Sequence, residues 1–288
     1  MKRFITLFLI SALMLSCGSK SSKSTQQEEI YSSKKIITAG GTITEIVFAL
    51  GHGDEIIATD RTSTYPASMQ SLPSIGYRNQ IQAEGILSLG PDMILVEEGY
   101  LNDDVLFQLQ NSGKEVHVFE KPLDKSSSIS LIESVGQLFK EEENSKKLVG
   151  NLEQDFSRLE TLKTKDKRNP EVIFIMSRGP ETVFLAGKET FADAIIQLAG
   201  GKKSPVDFEG MKPLTPEALA AINPEYILLF ESGWKASGGK DGLKAIQGIT
   251  ETEAWKKDQL IAMDGHYLSG FGPRLGKAAI ELFEKTHP

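Results

Sequence analysis

The residues best suited to chemistry centre on a tyrosine that follows a glycine, Gly76-Tyr77-Arg78. An ionised tyrosine oxygen is a hard anionic donor that suits ferric iron. Free tyrosine titrates near pH ~10, so this role requires a metal or a cation such as Arg78 to favour the charged form. On these residues alone, the simpler interpretation is a tyrosine packed at a domain edge with its hydroxyl in water.

Other patterns of catalysis or metal binding are missing from the sequence. Gly40 and Gly41 lack the Gly-x-Gly-x-x-Gly spacing of a dinucleotide loop, so we interpret them as tight strand-to-helix geometry. The chain has no Gly-x-Ser-x-Gly elbow and no His-Glu-x-x-His pair, and its single cysteine is Cys17. We therefore do not expect an enzyme.

The N-terminal residues show the pattern of an exported lipoprotein. A basic start is followed by the apolar run Phe4–Leu15 and by Cys17, and this run is too short to span a membrane as a helix. We expect residues 1–17 to be a signal peptide that ends at an acylated Cys17, with an ordinary signal peptide as the alternative. Residues 18–33 are rich in Ser, Lys, Gln and Glu and predict a disordered tether.

The rest of the chain is too long for one hydrophobic core and predicts two lobes. We expect an N-terminal α/β lobe at 34–124, a helical segment at 125–168 and a C-terminal α/β lobe at 169–288. The net charge is −7, with acids and bases interspersed. A nucleic-acid partner would require a clustered basic face, so we do not expect one.

The start of the folded part predicts a parallel sheet. Lys35–Ala39 and Glu55–Thr59 are strand candidates on either side of a helix that Thr42 or Thr44 could cap. A strand, a helix and a second strand with short connections imply parallel pairing.

Two segments repeat each other without a gap, Glu84–Val96 and Glu217–Leu229. Each predicts a short helix that stops at a proline, then an acid, then a buried strand. A weaker match pairs Thr44–Gly51 with 192–200. The repeats favour two related lobes, although unrelated α/β units can share the same pattern.

A long helix is predicted between the lobes. The apolar residues at 148, 152, 156, 159 and 162 repeat at helical spacing, which predicts a helix of some twenty residues, about 30 Å long. Asn169-Pro170 ends it before the strand candidate Val172–Met176. One long helix between two lobes would act as a stiff strut.

Together these features resemble the periplasmic binding proteins that serve importers of haem, siderophores and cobalamin. That family has two Rossmann-like lobes joined by a single long α-helix, and the resemblance covers the chain from Ile36 onward. The haem-binding branch is most similar, because seven of its phrases occur in order: Ala39–Val47, Thr62–Pro66, Leu72–Tyr77, Ala83–Asp92, Ala186–Lys188, Phe191–Ala194 and Gly270–Arg274.

The resemblance implies that Tyr77 is the ligand of the haem iron, and His266 is a candidate second ligand. The branch often has its basic residue two positions after the tyrosine, whereas this chain has Arg78 and then Asn79. In an extended chain, a shift of one residue turns the side chain to the opposite face. We therefore expect that Arg78 does not reach a haem propionate and that Asn79 offers only a neutral hydrogen bond.

Other side chains are candidates for the pocket around the haem. Arginine suits a carboxylate because its planar fork binds both oxygens. The basic candidates are Arg61, Arg178, Lys235 and Arg274, and the aromatic candidates are Tyr65, Tyr100, Trp234 and Phe271. Taken alone, each basic residue except Arg274 is more typical of a solvated surface charge.

The resemblance also implies the partners. In cobalamin-type relatives a surface glutamate on each lobe docks to arginines of the permease, and Glu84 and Glu217 hold equivalent places here. The expected partners are haem as the transported ligand, an ABC permease and its ATPase, with no catalytic cofactor. We expect an extracytoplasmic monomer that contacts the membrane only through the lipid on Cys17.

Three alternatives stay open. A ferric-siderophore or cobalamin carrier would have the same fold. A metal-ion carrier would require a cluster of histidines and carboxylates from both lobes, and the chain has only four histidines. An α/β enzyme is disfavoured by the missing catalytic motifs.

Overall fold

The computed structural model describes residues 34–179 and 181–288, with the side chain of Asn79 outside what is described. The predicted signal peptide, tether and acylated Cys17 therefore lie outside the described residues. Within the described part of the chain, no helix has the length and apolar character needed to cross a membrane.

Four parallel strands form the first sheet, in the order β2-β1-β3-β4. They are β1 (Ile36–Ala39), β2 (Ile56–Thr59), β3 (Met93–Glu97) and β4 (Glu115–Phe119). Every residue of the two central strands is buried, as is typical of a parallel sheet covered on both faces. The parallel sheet predicted for this half of the chain is confirmed.

Three helices accompany this sheet. They are α1 (Gly41–Val47), which continues into a π-helical turn at Phe48–His52, α2 (Ala83–Ser88) and α3 (Asp103–Gln110). Short 3₁₀ turns lie at Gly53–Glu55, Ala67–Ser71 and Arg78–Gln80. The predicted caps of α1 are wrong: Gly40 is the N-cap without a side-chain cap, and the Thr44 hydroxyl donates back to the Gly40 carbonyl over 3.0 Å.

Two packed helices follow, α4 (Lys125–Phe139) and α5 (Glu142–Lys165). Asp124 and Ser127 begin α4 with a reciprocal capping box. The 24 residues of α5 span about 36 Å at the helical rise. The predicted long helix is confirmed, but it is the second of two helices between the sheets, and its buried stripe includes Leu152, Phe156 and Leu159.

The second sheet has five strands in the order β7-β6-β5-β8-β9. They are β5 (Val172–Ser177), β6 (Val183–Ala186), β7 (Met211–Pro213), β8 (Tyr226–Phe230) and β9 (Leu260–Met263). Strands β5, β8 and β9 are parallel, whereas β6 and β7 add an antiparallel extension to β5.

The helices that accompany the second sheet are mostly short. They are α6 (Phe191–Leu198), α7 (Pro216–Ile222), α8 (Glu231–Ala236), α9 (Gly239–Leu243), α10 (Glu253–Lys256), α11 (Gly265–Ser269) and α12 (Leu275–Thr286), with a 3₁₀ turn at Ile249–Glu251. We call the first sheet with α1–α3 the first lobe, and the second sheet with α6–α12 the second lobe.

The predicted repeat is present in three dimensions. Helix α2 leads into β3, and α7 leads into β8, each after a proline. Strand β3 lies between β1 and β4, just as β8 lies between β5 and β9. The two lobes share an α/β plan, and the antiparallel β6 and β7 distinguish the second.

The largest apolar cluster crosses from one lobe to the other. It contains Ile36 and Leu95 of the first sheet, Phe156 of α5, and Phe174 and Leu228 of the second sheet. Helix α5 packs against both α4 and α12. The joining helix is thus part of a core that both lobes share.

Candidate functional site

The candidate cargo residues gather at the carboxyl ends of strands, where ligands bind in open α/β sheets. Four follow β2, one follows β5, two follow β8 and three follow β9. In that order they are Arg61, Tyr65, Tyr77 and Arg78; Arg178; Trp234 and Lys235; and His266, Phe271 and Arg274.

Tyr77 is held at this edge by a short strand-like segment beside β2. The Ile75 amide donates to the Thr59 carbonyl over 2.9 Å, and the Arg61 amide donates to the Gly76 carbonyl over 2.9 Å. Gly76 has a φ of 112°, a conformation that suits glycine. The Tyr77 side chain that follows is 40% exposed.

Arg78 does not continue an extended chain. Its φ is 30°, and it begins the 3₁₀ turn that follows Tyr77. The guanidinium carbon lies 4.9 Å from the centre of the Tyr100 ring. The expectation that Arg78 and Asn79 point to opposite faces of an extended chain therefore does not apply, because the backbone turns at Arg78.

Asp60 organises the loop after β2. This buried carboxylate accepts from the Gly40 amide over 2.9 Å, the Ser63 hydroxyl over 2.7 Å and the Thr62 amide over 2.6 Å, and also from the Tyr100 hydroxyl. Burial raises the pKa of Tyr100, and the Asp60 charge raises it further. Tyr100 is therefore a buried, protonated donor that supports Arg78 rather than an exposed wall of a pocket.

Glu97 occupies the N-terminus of α1. Its Oε1 accepts from the Thr42 amide over 2.8 Å and from the Ile43 amide over 3.4 Å. A Cβ on Gly40 would lie 2.4 Å from the Glu97 carboxyl carbon, which explains the glycine. Burial raises the pKa of Glu97, against the opposing effects of Lys121 and the Thr42 amide. The structure thus supports strand-to-helix geometry for Gly40, with a carboxylate where a nucleotide phosphate would bind.

Glu45 and Arg274 join the two lobes. Arg274 Nε and an Nη donate to the two Glu45 carboxylate oxygens, each over 2.8 Å. Glu45 is 4% exposed, and the Thr42 hydroxyl nearby donates to the Gly270 carbonyl over 2.5 Å. Arg274 was a candidate for a propionate, but its fork is already paired with a buried carboxylate, so we reassign it to the lobe junction.

Arg274 also contacts Tyr65. Its guanidinium carbon lies 3.6 Å from the centre of the Tyr65 ring and 5.1 Å from that of Tyr267. Tyr65 is nevertheless 44% exposed. The ring is therefore covered on one face and open elsewhere.

His266 is packed inside the junction. Its side chain is 6% exposed, and Nε2 lies 3.5 Å from Glu45 Oε2, while neither ring nitrogen has a hydrogen-bond partner within the described residues. A Cβ on Gly41 would lie 3.0 Å from Nε2. Burial lowers the pKa of the ring, so His266 is a neutral packed side chain here and not an open second ligand.

Phe271, a candidate for the pocket wall, does not line an open pocket, because it is 1% exposed and belongs to the core that both lobes share. A phenylalanine in a Gly-rich loop suggested an accessible ring, yet packing buries it. Trp234 is half-buried against the core of the second lobe. The other basic candidates, Arg61, Arg178 and Lys235, are exposed, and Lys235 pairs with Glu231 over 3.5 Å.

Glu84 and Glu217 lie in the first turns of α2 and α7, and both are exposed. Their equivalent positions on the two lobes are therefore a feature of the fold and not only of the sequence repeat. Within the described residues, no three of the His, Cys, Asp and Glu side chains gather to hold a metal ion.

Three acids that organise this region were not predicted from the sequence: Glu45, Asp60 and Glu97. Asp60 directly follows β2 and Glu97 ends β3, so acids at the carboxyl ends of buried strands were an available signal. Glu45 is an acid inside an otherwise buried helix, a placement that requires a partner.

This fold is shared with known proteins. The profile of the periplasmic binding protein family matches residues 36–267. The chain belongs to this family. Its members are substrate-binding components of ABC importers that work with a permease and an ATPase, and the family implies an extracytoplasmic location.

Individual relatives differ in what they bind. The solved periplasmic heme-binding protein RhuT from Roseiflexus sp. RS-1, in apo form, has 32% identity and a TM-score of 0.85 over 88% of this chain and 98% of its own. An uncharacterized ABC transporter substrate-binding lipoprotein, YvrC of Bacillus subtilis, is 26% identical over 98% of this chain and 95% of its own. A vitamin B12-binding protein of Photorhabdus laumondii is 24% identical over 88% of both chains.

Proposed function

We propose that this protein is the haem-binding component of an ABC importer, which captures haem between its lobes and delivers it to the permease. The observation that carries the proposal is the placement of Tyr77. Tyr77 is 40% exposed at the carboxyl edge of the first sheet, after a glycine whose φ of 112° suits a tight turn. The similarity to a solved heme-binding protein supports it.

Tyr77 offers the donor that ferric haem requires. The iron itself favours the ionised phenol oxygen, because a bound cation stabilises a neighbouring anion. No covalent step is needed, since capture and release are enough for transport.

Haem also carries two carboxylates, which exposed cations can meet. Arg61 is the best placed of these cations in the first lobe, because its amide donates a hydrogen bond to the carbonyl of Gly76, the residue before Tyr77. Arg178 and Lys235 are exposed candidates in the second lobe. We propose these three side chains, rather than Arg274, as the partners of the propionates.

Cobalamin is the second candidate cargo, since one curated relative is a vitamin B12-binding protein. Its cobalt already carries axial ligands, so the Tyr77 oxygen would have no metal position to fill. An exposed tyrosine on a tight turn is therefore explained better by haem.

The direct experiment is a titration of the purified apo-protein with hemin, followed by absorption in the Soret region. The wild type should give a high-spin ferric spectrum with a phenolate-to-iron charge-transfer band. In Tyr77→Phe the ring remains but the oxygen is lost, so that band should vanish and affinity should fall at least about tenfold, or 1.4 kcal/mol.

Tyr65→Phe is the matched control, because Tyr65 is similarly exposed on the same side of the first sheet. Its charge-transfer band should match the wild type. Loss of the band in Tyr65→Phe but not in Tyr77→Phe would show that Tyr65, and not Tyr77, is the ligand of the iron. A wild type that binds cyanocobalamin and gives no hemin spectrum would replace haem with cobalamin.

We also propose that Glu84 and Glu217 are the contacts that dock each lobe onto the permease, and that the protein is a monomer anchored by lipid on Cys17. Exposure in the first turns of equivalent helices supports the docking role. The similarity to YvrC of Bacillus subtilis, an ABC transporter substrate-binding lipoprotein, supports the anchor.

A further inference from the structure

Tyr65 has an unusual environment for an exposed aromatic side chain. One face of its ring is covered by the Arg274 guanidinium at 3.6 Å, while the residue remains 44% exposed. A planar guanidinium at this distance stacks on the ring and forms a cation–π contact. Tyr65 and Tyr77 both follow the carboxyl end of β2, and both are exposed.

The guanidinium beneath the ring is itself fixed. Both of its bonds to Glu45 measure 2.8 Å, and Glu45 is 4% exposed, so the fork is clamped by a buried carboxylate of α1. Arg274 belongs to the second lobe, whereas Glu45 and Tyr65 belong to the first. The position of the Tyr65 ring is therefore set by residues from both sides of the lobe junction.

A clamped aromatic ring with one open face is suited to a flat conjugated ligand. Aromatic side chains gain from offset stacking against another ring, and a preorganised ring loses little entropy on binding. A porphyrin is flat on both faces. A corrin is puckered and carries groups above and below its plane, which prevents close stacking.

We propose that Tyr65 is a stacking platform for the face of a planar macrocycle, and that Arg274 is the positioning residue that holds it. This inference rests on the proposed function, because it deepens the choice of haem over cobalamin. It assigns recognition of the ring plane to Tyr65, separately from iron ligation at Tyr77. Binding at the platform does not depend on a metal.

Protoporphyrin IX without iron is the probe that separates the two roles. Its binding to the purified full-length protein is followed by its own fluorescence, alongside a hemin titration. Removal of a stacking aromatic costs about 1–3 kcal/mol, so Tyr65→Ala should weaken protoporphyrin binding about 5- to 150-fold. Tyr65→Phe keeps the ring and should restore most of the affinity.

Two further variants complete the test. Phe107→Ala removes a 67% exposed ring from α3 and should leave protoporphyrin affinity at the wild-type value. Arg274→Lys keeps the charge but loses the planar fork, so affinity should fall between the wild type and Tyr65→Ala. Should Arg274→Lys fold poorly by circular dichroism, the comparison of Tyr65→Ala with Tyr65→Phe decides the matter alone.

Wild-type affinity in Tyr65→Ala, or an equal loss in Tyr65→Phe and Tyr65→Ala, would overturn the platform. Hemin binding by a wild type that does not bind protoporphyrin IX would also overturn it while leaving the proposed function intact. A wild type that binds neither porphyrin would overturn both. Wild-type protoporphyrin binding that is lost in Tyr65→Ala and kept in Tyr65→Phe supports the platform.

Discussion

At the scale of single residues, the candidate side chains divide into exposed groups that follow strand ends and groups that are packed inside. Tyr77 and Arg61 were selected from their types and neighbours, and both are exposed at strand ends. Phe271 and His266 were selected in the same way, yet both side chains are packed inside. Exposure depends on contacts from the other lobe, which a local pattern does not contain.

The role of Gly40 shows the same limit. Its neighbours predicted a tight turn, and its φ of 126° confirms a conformation that suits glycine. The reason for the tightness is the Glu97 carboxylate, which lies 57 positions further along the chain. A pattern of adjacent residues predicts the turn but cannot name the group that crowds it.

His266 should make the apo-protein less stable in mild acid. Burial lowers the pKa of its ring from the usual 6.5, with the Arg274 charge adding to this and Glu45, Asp264 and Asp60 opposing it. Below about pH 6.5 the unfolded chain takes up a proton that the folded ring does not, so the free energy of unfolding falls. Each unit of pKa depression contributes about 1.4 kcal/mol.

Urea unfolding of the wild type and of His266→Gln at about pH 7.5 and about pH 5.5 measures this contribution. The wild type should lose more stability between these values than His266→Gln, which cannot titrate. An identical loss in both proteins would show that other groups cause the acid sensitivity.

At the scale of elements, the order of helices and strands was predictable wherever a proline or an apolar run marks a boundary. The unit α2–β3 and its counterpart α7–β8 were found from the sequence because Pro91 and Pro224 stop the helices. The antiparallel strands β6 and β7 were not predicted. Their pairing depends on a turn and a distant segment, and neither leaves a periodic signal as strong as that of a buried parallel strand.

The exposed glutamates of α2 and α7 make docking testable at this scale. In Glu84→Lys/Glu217→Lys the proposed attraction to basic permease residues becomes repulsion, which costs on the order of several kcal/mol at an interface. Complex formation with the permease in vesicles should be lost, while hemin titration and thermal stability stay close to the wild type.

The matched control is Glu142→Lys/Glu143→Lys, which makes the same charge change in the first turn of α5. Both double variants change the net charge of the protein by the same amount, so a difference between them in permease binding reports the positions of the charges. If the control loses the permease as completely as Glu84→Lys/Glu217→Lys does, net charge and not these positions explains the effect.

At the scale of the whole molecule, the two-lobe plan and the joining helix were predictable from length, the internal repeat and the apolar spacing in α5. The contact between the lobes was not predictable. It depends on the pair Glu45–Arg274, which is separated by more than two hundred residues. Residue spacing along the chain contains no information about such a pair.

The proposed lipid anchor on Cys17 concerns the whole protein. Cys17→Ser removes the thiol that acylation needs, so the variant should leave the membrane fraction and appear in the soluble fraction with its hemin spectrum unchanged. Fractionation and mass spectrometry of the N-terminal peptide are the measurements. A wild type that carries no lipid, or a Cys17→Ser protein that stays with membranes, would contradict the anchor.

The apolar cluster that runs through α5 has a consequence for how the chain folds. Because Leu95, Phe156 and Phe174 belong to one cluster, neither half can complete its interior without the other, and we expect the whole chain to melt in one calorimetric transition. Leu152→Ala in α5 should reduce the free energy of unfolding by about 2–5 kcal/mol and lower the temperature of that single transition without splitting it. Two separate peaks would reveal independent halves. A protein that unfolds in a single transition also has no separately unfolded half that proteases could degrade. This favours a long lifetime outside the cytoplasm.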